Sequence, residues 1–431
     1  MKKNKLFLMG AGVFSALASV PMIAAACQSN KGVYDHPKSP KVSVVNVIKS
    51  DNLVATESEK ANLPKIVMIN DDGDINDKSF NQSAWEGLLN FTTQNKISRK
   101  NYNVLEVTGG NYKNAYTQAL NSGYKIWIMP GFLHSDQIDS FIKEGNNAER
   151  MANLGVTILG ADYVTALGGH GVFQEFKTRE SAFAAGYAAA KFLSEEANAA
   201  DRTFAQFGGG VFEGVTDFNE GFMKGVLYWN NKQTDENKKV HSTQNTVDLN
   251  TGFDTNSPIM DTAINNVLAT NPKLILPVAG QATYLVMKRD SFKGKYIIGV
   301  DTDQALAAPS GKSAFFTSIL KNLGQSTYDL VGSIALNKKT KDQLGGFEIN
   351  VTDGIIYGGF NENWVDVSKT YIQGERGKQA QEALDEGKKV AKSLNDEDKT
   401  WLYSSKVTKE GPEITNLQER MNALAKALYK A

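Results

Sequence analysis

The arrangement of hydrophobic and polar residues changes three times along the chain. An apolar run covers residues 6–26, a polar stretch without a long apolar period covers 28–62, and from Pro64 onward short apolar runs alternate with stretches of helical period. The alternating part predicts βαβ units, because buried parallel strands are continuous apolar runs and their covering helices carry an apolar stripe. The tail from Lys378 is rich in charge and ends in a stretch, 416–429, that predicts an amphipathic helix packed on a lobe.

Seven apolar runs are predicted as strands and four periodic stretches as helices. In the helix predicted over 217–229, Phe218, Phe222 and Val226 fall on one stripe. The helix predicted over 180–195 is so rich in Ala and Gly that we expect it to pack very close to a sheet. The predicted strands are 66–70, 104–108, 126–129, 156–159, 204–207, 274–278 and 297–300, and the other two helices are 79–91 and 259–268.

The extent of the alternating pattern predicts two lobes. About 340 residues exceed one open sheet of ordinary size, so we predict an α/β fold of two doubly wound parallel-sheet lobes with a hinge. Three crossings between lobes are expected, near Leu167, Asp301 and Tyr357. Such sheets bind ligands beyond the carboxyl ends of their strands, so the residues after each strand are the candidates for function. The predicted boundaries are 63–167 plus 302–357 for lobe 1 and 168–301 plus 358–431 for lobe 2.

The start of the chain has the pattern of an export signal. A basic head precedes the apolar run, which ends in Ala24-Ala25-Ala26-Cys27. This predicts a signal peptide over 1–26, although the run is also near the length of a membrane-spanning helix. Its last four residues resemble the lipobox of bacterial lipoproteins. The resemblance implies a lipid on Cys27, with 27–62 as a flexible polar tether on the extracytoplasmic face of the cell membrane.

Composition argues against several classes of protein. Lys+Arg and Asp+Glu are both 47, and a chain without net charge has no global field to recruit nucleic acid. The single cysteine, Cys27, permits neither an intramolecular disulfide nor a thiolate metal cluster. The four histidines lack metal-ligand spacing and are expected at the surface or in loops, so no metal or cofactor is predicted. The run Gly208-Gly209-Gly210 is not GxGxxG, and no Walker sequence is present, which argues against a nucleotide-phosphate site.

Four aspartates crowd the loop after the first predicted strand, between Asn70 and Lys78. Ser79 and Gln82 have the spacing of a capping box, so we expect a helix to start there. Phe80 would then lie in its first turn, at the strand ends, where free backbone N–H groups face a ligand.

Two other interpretations of this loop were weighed. Asp72, Asp74 and Asn76 have EF-hand spacing, but Asp77 and Ser83 occupy the positions that need Gly and Glu, which argues against calcium. A catalytic pair of carboxylates across a cleft, as in glycosidases, is not excluded by the sequence.

The segment from Asp77 to Gly87, Asp-Lys-Ser-Phe-Asn-Gln-Ser-Ala-Trp-Glu-Gly, resembles the signature of the basic membrane protein (BMP) family. These bacterial lipoproteins have the type I periplasmic binding fold and include purine-nucleoside receptors of ABC importers. The resemblance runs from about Lys65 to Asn361. Further motifs match in order: Pro130-Gly131-Phe132, Gly160-Ala161-Asp162, Glu180 to Gly186, Phe218-Asn219-Glu220-Gly221-Phe222, Gly299 to Gln304, and Thr317 to Asn322.

The resemblance implies a monomeric receptor that closes on a nucleoside, expected to be a purine nucleoside, and delivers it to an ABC permease in the membrane. It implies that Phe80 stacks on one face of the base and Phe212 on the other. It also implies that Asp301 and Lys321 hold the ribose hydroxyls, and it assigns no catalytic residue. The other implied cleft residues are Asp71, Asp77, Asn81, Gly131 and Asp162, while Trp127 and Phe132 could be core or cleft lining.

Other functions remain as alternatives to the receptor. A nucleoside hydrolase or phosphorylase would need a general acid or base at the cleft, and no nucleophile-plus-base pattern is visible. A sugar-responsive repressor shares the fold but would need an N-terminal helix-turn-helix in place of the export signal. A surface lipoprotein that binds another solute such as a sugar, or a host-contact protein with a vestigial cleft, is compatible with the sequence.

Overall fold

Two six-stranded sheets, one in each lobe, form the framework of the chain. The computed structural model describes residues 36–308 and 310–430. The strands are β1 (Ile66–Ile69), β2 (Tyr102–Leu105), β3 (Ile126–Pro130), β4 (Thr157–Ala161), β5 (Gly171–Phe176), β6 (Thr203–Gly208), β7 (His241–Ser242), β8 (Leu274–Val278), β9 (Tyr296–Asp301), β10 (Phe315–Lys321), β11 (Gly354–Gly358) and β12 (Val365–Val367). The α-helices are α1 (Glu57–Ala61), α2 (Phe80–Gln94), α3 (Tyr112–Asn121), α4 (His134–Lys143), α5 (Asn147–Leu154), α6 (Thr178–Leu193), α7 (Glu213–Asn231), α8 (Pro258–Ala269), α9 (Ala282–Met287), α10 (Gln304–Ala307), α11 (Leu323–Ala335), α12 (Gly374–Lys392), α13 (Asp396–Tyr403) and α14 (Leu417–Leu428).

Both sheets are doubly wound, as predicted. The lobe 1 sheet has the order β11-β5-β4-β3-β1-β2 and is parallel throughout. The lobe 2 sheet has the order β12-β10-β9-β8-β6-β7, in which only the pairing of β12 is antiparallel. In each sheet the strand order reverses beside the first strand, β1 or β6, and this reversal opens a crevice at the carboxyl ends of the strands.

The chain crosses between the sheets after β5, after β10 and after β11. The predicted crossings at Leu167 and Asp301 therefore lie too early, and 168–176 belongs to lobe 1 while 302–321 belongs to lobe 2. The first error arose because Gly168-Gly169-His170-Gly171 looks like a connecting loop, although it leads into a further strand of the same sheet. The second arose because nothing local in the sequence says which sheet β10 joins.

The three crossing segments are bonded to one another. The backbone N–H of Lys177 donates to the carbonyl of Gly358 at 2.8 Å, and that of Asn322 donates to the carbonyl of Trp364 at 2.8 Å. Glu180 accepts from the backbone N–H of Phe360 at 3.0 Å. These bonds make the crossings one connected hinge.

The segment predicted as a flexible tether packs on lobe 1 over its described part, residues 36–62. Polar side chains of two helices hold its backbone: Glu86 of α2 accepts from the N–H of Val44 at 3.0 Å, and Gln325 of α11 accepts from that of Ile48 at 2.7 Å. The tether prediction was wrong for these residues. The segment is held through its backbone by polar side chains of the lobe, and such binding does not require a periodic apolar pattern in the segment itself.

Cys27, the predicted signal peptide and the rest of the predicted tether lie outside the described residues. Among residues 36–308 and 310–430, no helix combines the length and hydrophobicity that crossing a membrane requires.

The Ala- and Gly-rich helix α6 is closely packed, but its nearest neighbour is the helix α7. A Cβ added at Gly186 would lie 2.0 Å from the carbonyl oxygen of Phe222, and one added at Gly225 would lie 2.3 Å from that of Phe183. The small residues therefore serve helix-to-helix contact as well as the predicted contact with the sheet, where α6 meets β10 and β12.

The C-terminal helix α14 packs on α7 and β7, as its apolar spacing predicted. A buried charged cluster holds it there, centred on Glu220 of α7. Glu220 meets Lys224 at 2.7 Å, Arg420 of α14 at 3.0 Å and Arg179 of α6 at 3.3 Å. Lys224 also donates to the carbonyls of Trp401, Leu402 and Ser404, so the whole C-terminal segment is attached to lobe 2.

Two of the histidines expected at the surface or in loops are buried, although His170 does lie in a loop, between β4 and β5. His134 is fully buried at the start of α4, 2.7 Å from the hydroxyl of Tyr116, and His170 lies 2.7 Å from the carbonyl of Val156. Each ring makes hydrogen bonds to the protein in place of water, as buried polar groups do. The spacing of histidines in the sequence does not reveal such bonds.

Candidate functional site

A cavity of about 360 Å³ lies between the lobes, at the carboxyl ends of the strands of both sheets. All nine residues named from the sequence line it. They are Asp71, Asp77, Phe80, Asn81, Gly131, Asp162, Phe212, Asp301 and Lys321. Other residues of its lining, including Phe218, Phe253 and Gln281, were not singled out for the cleft.

On the lobe 1 side, Asp71 is held by its neighbours in a single arrangement. Asn81 accepts from the backbone N–H of Asp71 at 2.9 Å and donates to its carbonyl at 3.3 Å. A Cβ added at Gly131, whose φ is +106°, would lie 2.0 Å from Oδ2 of Asp71. A side chain at position 131 would therefore displace this carboxylate. Asn81 and Gly131 together position Asp71.

Asp77 caps helix α2. Its Oδ1 accepts from the backbone N–H groups of Ser79 and Gln82 at 2.8 and 3.1 Å, and its Oδ2 accepts from that of Asn81 at 2.9 Å. The capping box predicted for Ser79 and Gln82 was wrong, because the carboxylate of Asp77 takes these donors and the side chain of Ser79 makes no cap bond. The helix does start at Phe80, as predicted, so that the ring of Phe80 lines the cavity.

Asp162, Asp301 and Lys321 form a charged cluster near the hinge. The ammonium of Lys321 lies 2.8 Å from Oδ2 of Asp162 and is almost fully buried. Burial raises the pKa of Asp301 to about 6, and the positive charge of Lys321 opposes this rise. Burial acts against the charge of Lys321, but the carboxylates of Asp162 and Asp301 raise its pKa above the ordinary value. The cluster thus carries two carboxylates for one cation.

Both aspartates of this cluster have left-handed backbone conformations. The φ angles are +64° at Asp162 and +63° at Asp301. Asp and Asn tolerate this region better than other residues with a Cβ, at a cost of order 1 kcal/mol or more. Each aspartate ends or follows a strand, so the unusual φ turns its carboxylate at the strand end where the cavity lies.

Glu175 is a titratable residue near this cluster that was not predicted from the sequence. It lies on β5, a strand absent from the predicted list. Burial raises the pKa of Glu175 to about 7, and the negative charge of Asp162 adds to the rise. The glycines at the start of β5 gave this segment the pattern of a loop, so neither the strand nor Glu175 was predicted from the sequence.

Three phenylalanine rings from both lobes meet at the cavity. Phe132 of lobe 1 lies 4.9 Å from Phe212 and 6.3 Å from Phe253 of lobe 2, measured between ring centroids. Trp127, by contrast, is fully buried in the core of lobe 1. Phe253 follows Gly252 in the long connection after β7, and an aromatic residue after a glycine beyond a strand is the signal that could have identified it.

Hydrogen bonds also join the two lobes beside the cavity. Gln281 of lobe 2 donates to the carbonyl of Asp77 at 2.5 Å, and Thr302 donates to the carbonyl of Lys78 at 3.3 Å. Together with the ring contacts of Phe132, these bonds show that the two lobes touch at the mouth of the cleft.

The lining suits a ligand that has both a flat apolar face and several hydrogen-bonding groups. Aromatic rings provide stacking surfaces, and the carboxylates accept hydrogen bonds. Five carboxylates against one ammonium make the cavity unfavourable for an anion. Among residues 36–308 and 310–430, no group of three or more His, Cys, Asp or Glu side chains is arranged to hold a metal ion.

Comparison with known proteins gives a family match. The Bmp family model, described as ABC transporter substrate-binding protein PnrA-like, matches residues 65–356. The chain is 27% identical over 318 residues to the CD4+ T-cell-stimulating antigen of Listeria innocua, covering 71% of this chain and 82% of that protein. It is 27% identical over 187 residues to the ABC transporter nucleoside-binding protein BmpA of Lactococcus lactis, covering 43% of this chain and 49% of that one.

A solved structure shares the fold. The solute-binding protein of an ABC transporter system from Aeropyrum pernix K1 matches with a TM-score of 0.55 and 18% identity. The match covers 79% of this chain and 89% of the other.

Proposed function

Because the chain belongs to the family of PnrA-like ABC transporter substrate-binding proteins, we propose that it binds a nucleoside, with a purine nucleoside favoured, between its two lobes. The single observation that carries the proposal is the convergence of all nine sequence-predicted residues on one interlobe cavity. Membership of this family implies that the partner is the permease of an ABC importer. The protein would bind this permease on the extracytoplasmic side, with its lobes closed on the ligand.

Each part of a nucleoside has a counterpart in the cavity. Phe80 from lobe 1 and Phe212 from lobe 2 offer rings for the base, and such stacking contributes ~1–3 kcal/mol per base. Asp301 accepts hydrogen bonds from ribose hydroxyls, and Lys321 donates to the hydroxyl oxygens. The surplus of carboxylates argues for the uncharged nucleoside over its phosphorylated forms.

A sugar is the second candidate ligand, since the Asp301 and Lys321 cluster suits hydroxyl groups of any pyranose or furanose. The aromatic rings favour the nucleoside, because they offer more stacking surface than a sugar alone would cover.

We expect a nucleoside to raise the melting temperature of the body formed by residues 28–431 and free bases and sugars to have smaller effects. A ligand that binds only the folded state stabilises it by about 2.7 kcal/mol at a hundredfold excess over Kd. Phe80→Ala should weaken binding about tenfold, because one stacking surface is lost. The measurement is a thermal-shift screen followed by titration calorimetry.

Phe91→Leu is the matched control, since Phe91 lies on the same helix but faces the core. It should lower the melting temperature without changing the affinity of the folded protein. No shift with any nucleoside, on protein stripped of carried-over ligand, would remove the nucleoside proposal. Release of free base during incubation, detected by chromatography, would favour the hydrolase alternative.

We also propose that Cys27 carries a lipid anchor after removal of residues 1–26. The full chain, produced in a bacterium that processes lipoproteins, should partition into the detergent phase of a cloud-point extraction. Cys27→Ser should move the protein to the aqueous phase or leave it with an uncleaved signal, because no thiol accepts the lipid. Equal partitioning of the two forms, both with residues 1–26 removed, would contradict the anchor.

A further inference from the structure

Four buried aromatic side chains lie behind the lobe 1 wall of the cleft, outside the proposed ligand contacts. Tyr112 and Tyr116 belong to α3, His134 starts α4, and Tyr163 follows β4. The ring centroids of Tyr112 and His134 are 5.1 Å apart, and those of His134 and Tyr163 are 6.4 Å apart. Of the three tyrosines, only Tyr112 has a hydroxyl bonded to a carboxylate of the cleft, that of Asp71.

The hydrogen bonds of Tyr112 determine which group donates. Its hydroxyl lies 2.5 Å from Oδ1 of Asp71 and accepts from the backbone N–H of Asp72 at 3.1 Å. A hydroxyl has one proton, so the proton of Tyr112 points to Asp71, which must act as the acceptor. The N–H of Asp72 also reaches Oδ1 of Asp71, at 3.1 Å.

These bonds leave a defined part of the carboxylate for a ligand. Oδ1 of Asp71 is occupied by two protein donors, and the backbone N–H of Leu133 also bonds to the carboxylate, whose Oδ2 faces the position where Gly131 lacks a side chain. A carboxylate offers about four acceptor positions. Three protein donors leave about one of these positions, so the carboxylate keeps acceptor capacity on the side of the cavity that Asp71 and Gly131 share.

We propose that Tyr112 is a positioning residue that orients Asp71 as a hydrogen-bond acceptor, and so makes the cleft favour a base edge that donates an N–H. This inference rests on the proposed nucleoside function. It adds a specificity-determining residue that does not itself line the cavity.

The charge of Asp71 is sensitive to this bond. Burial raises the pKa of Asp71 to about 6, and the hydrogen bonds from Tyr112 and from the backbone N–H groups of Asp72 and Leu133 oppose the rise. The negative charge of Asp72 adds to it. Burial lowers the pKa of His134 to about 3 and raises the pKa of Tyr116 and of Tyr163, so these three neighbours stay uncharged near neutral pH.

The direction of the effect follows from these signs. Removing the hydroxyl of Tyr112 takes away a bond that favours the ionised form, so the pKa of Asp71 rises further. A larger fraction of Asp71 is then protonated at pH 7, and a protonated carboxyl donates where the ligand also donates. As the pH is lowered, the variant should therefore lose its affinity for a ligand that donates an N–H at a higher pH than the wild type does.

The test compares Tyr112→Phe with the wild type from pH 5 to pH 8 by calorimetry. The probe is whichever of inosine, guanosine and adenosine the wild type binds most tightly, since each carries an N–H on its base edge. The midpoint of the acid loss of affinity should move up by about one pH unit, which matches the weight of one hydrogen bond to a charged group. Near pH 7 the Kd should rise only about twofold, whereas near pH 5, where Asp71 is mostly protonated in both proteins, the rise should approach tenfold.

Tyr116→Phe is the matched control, because Tyr116 bonds to His134 and not to Asp71. It should leave the midpoint unchanged. Asp301 and Glu175 titrate in the same range, so the difference between variant and wild type is the quantity measured. If Tyr112→Phe does not fold, Asp71→Asn serves instead and should remove the contribution of Asp71 to the acid loss.

The outcomes separate the two claims. Wild-type protein that binds none of the three nucleosides overturns the proposed function. Wild-type binding with the same midpoint in Tyr112→Phe, or an unchanged acid loss in Asp71→Asn, overturns the role of Tyr112 while the receptor function stands.

Discussion

Replacing Asp301 with asparagine is expected to weaken nucleoside binding about a hundredfold at pH 7.5. The loss corresponds to about 2.7 kcal/mol, which is the scale of one or two hydrogen bonds between a carboxylate and ligand hydroxyls. Asparagine is preferred to alanine because the φ of +63° at this position suits Asn and Asp. Alanine would add backbone strain and confuse lost ligand contacts with altered folding.

The stability of the ligand-free Asp301→Asn protein should be equal to that of the wild type or higher. Burial raises the pKa of Asp301 to about 6, so at pH 7.5 the folded state bears the cost of an ionised buried carboxylate. That cost falls as the pH drops through 6, because the folded state then takes up the proton. Titration calorimetry and thermal unfolding at pH 7.5 measure the two effects separately.

Asp290→Asn provides the matched control for Asp301→Asn. Asp290 lies in the same lobe with its side chain 95% exposed, and it pairs with Lys293 across one turn. Its substitution should change neither affinity nor stability by a measurable amount. If Asp301→Asn binds the nucleoside within threefold of the wild type, Asp301 does not hold the ribose.

Glu220→Ala is expected to lower the free energy of unfolding by about 3–5 kcal/mol, the cost of breaking a buried ion pair from one side. Glu220 and Lys224 are both 0% exposed, and Arg420 reaches the same carboxylate from α14. The substitution leaves Lys224 and Arg420 buried without a carboxylate, whereas Arg179 keeps Asp217 at 2.7 Å. Urea unfolding measures the change.

The destabilisation should be accompanied by loosening of the C-terminal segment. Lys224 and Arg420 attach the segment around Trp401 and α14 to the rest of lobe 2, so limited proteolysis should cut between residues 403 and 417 sooner than in the wild type. Glu236→Ala is the control, since Glu236 is 74% exposed and pairs with Lys239 on the surface. A loss for Glu220→Ala no larger than for this control would show that the buried cluster adds nothing to stability.

The sequence alone determined the two doubly wound lobes and nine of the residues that line the cleft. Strands and helices followed from hydrophobic period, because burial of one apolar stripe is a local requirement on spacing. These nine residues followed from the resemblance to the basic membrane protein family, and the rule that ligands lie at the carboxyl ends of parallel strands pointed to the same loops. Phe80 and Asp301 are more than 200 positions apart, yet both line the cavity.

Only the tertiary structure decided how those residues are used. Asp77 caps α2 and Asn81 holds Asp71, and these roles depend on backbone N–H groups whose positions no spacing rule supplies. The packed segment 36–62, the buried Glu220 cluster and the bond from Tyr112 to Asp71 all join residues distant in sequence through polar contacts. Apolar burial leaves a periodic signal in the chain, whereas polar contacts between distant segments depend on geometry and leave none.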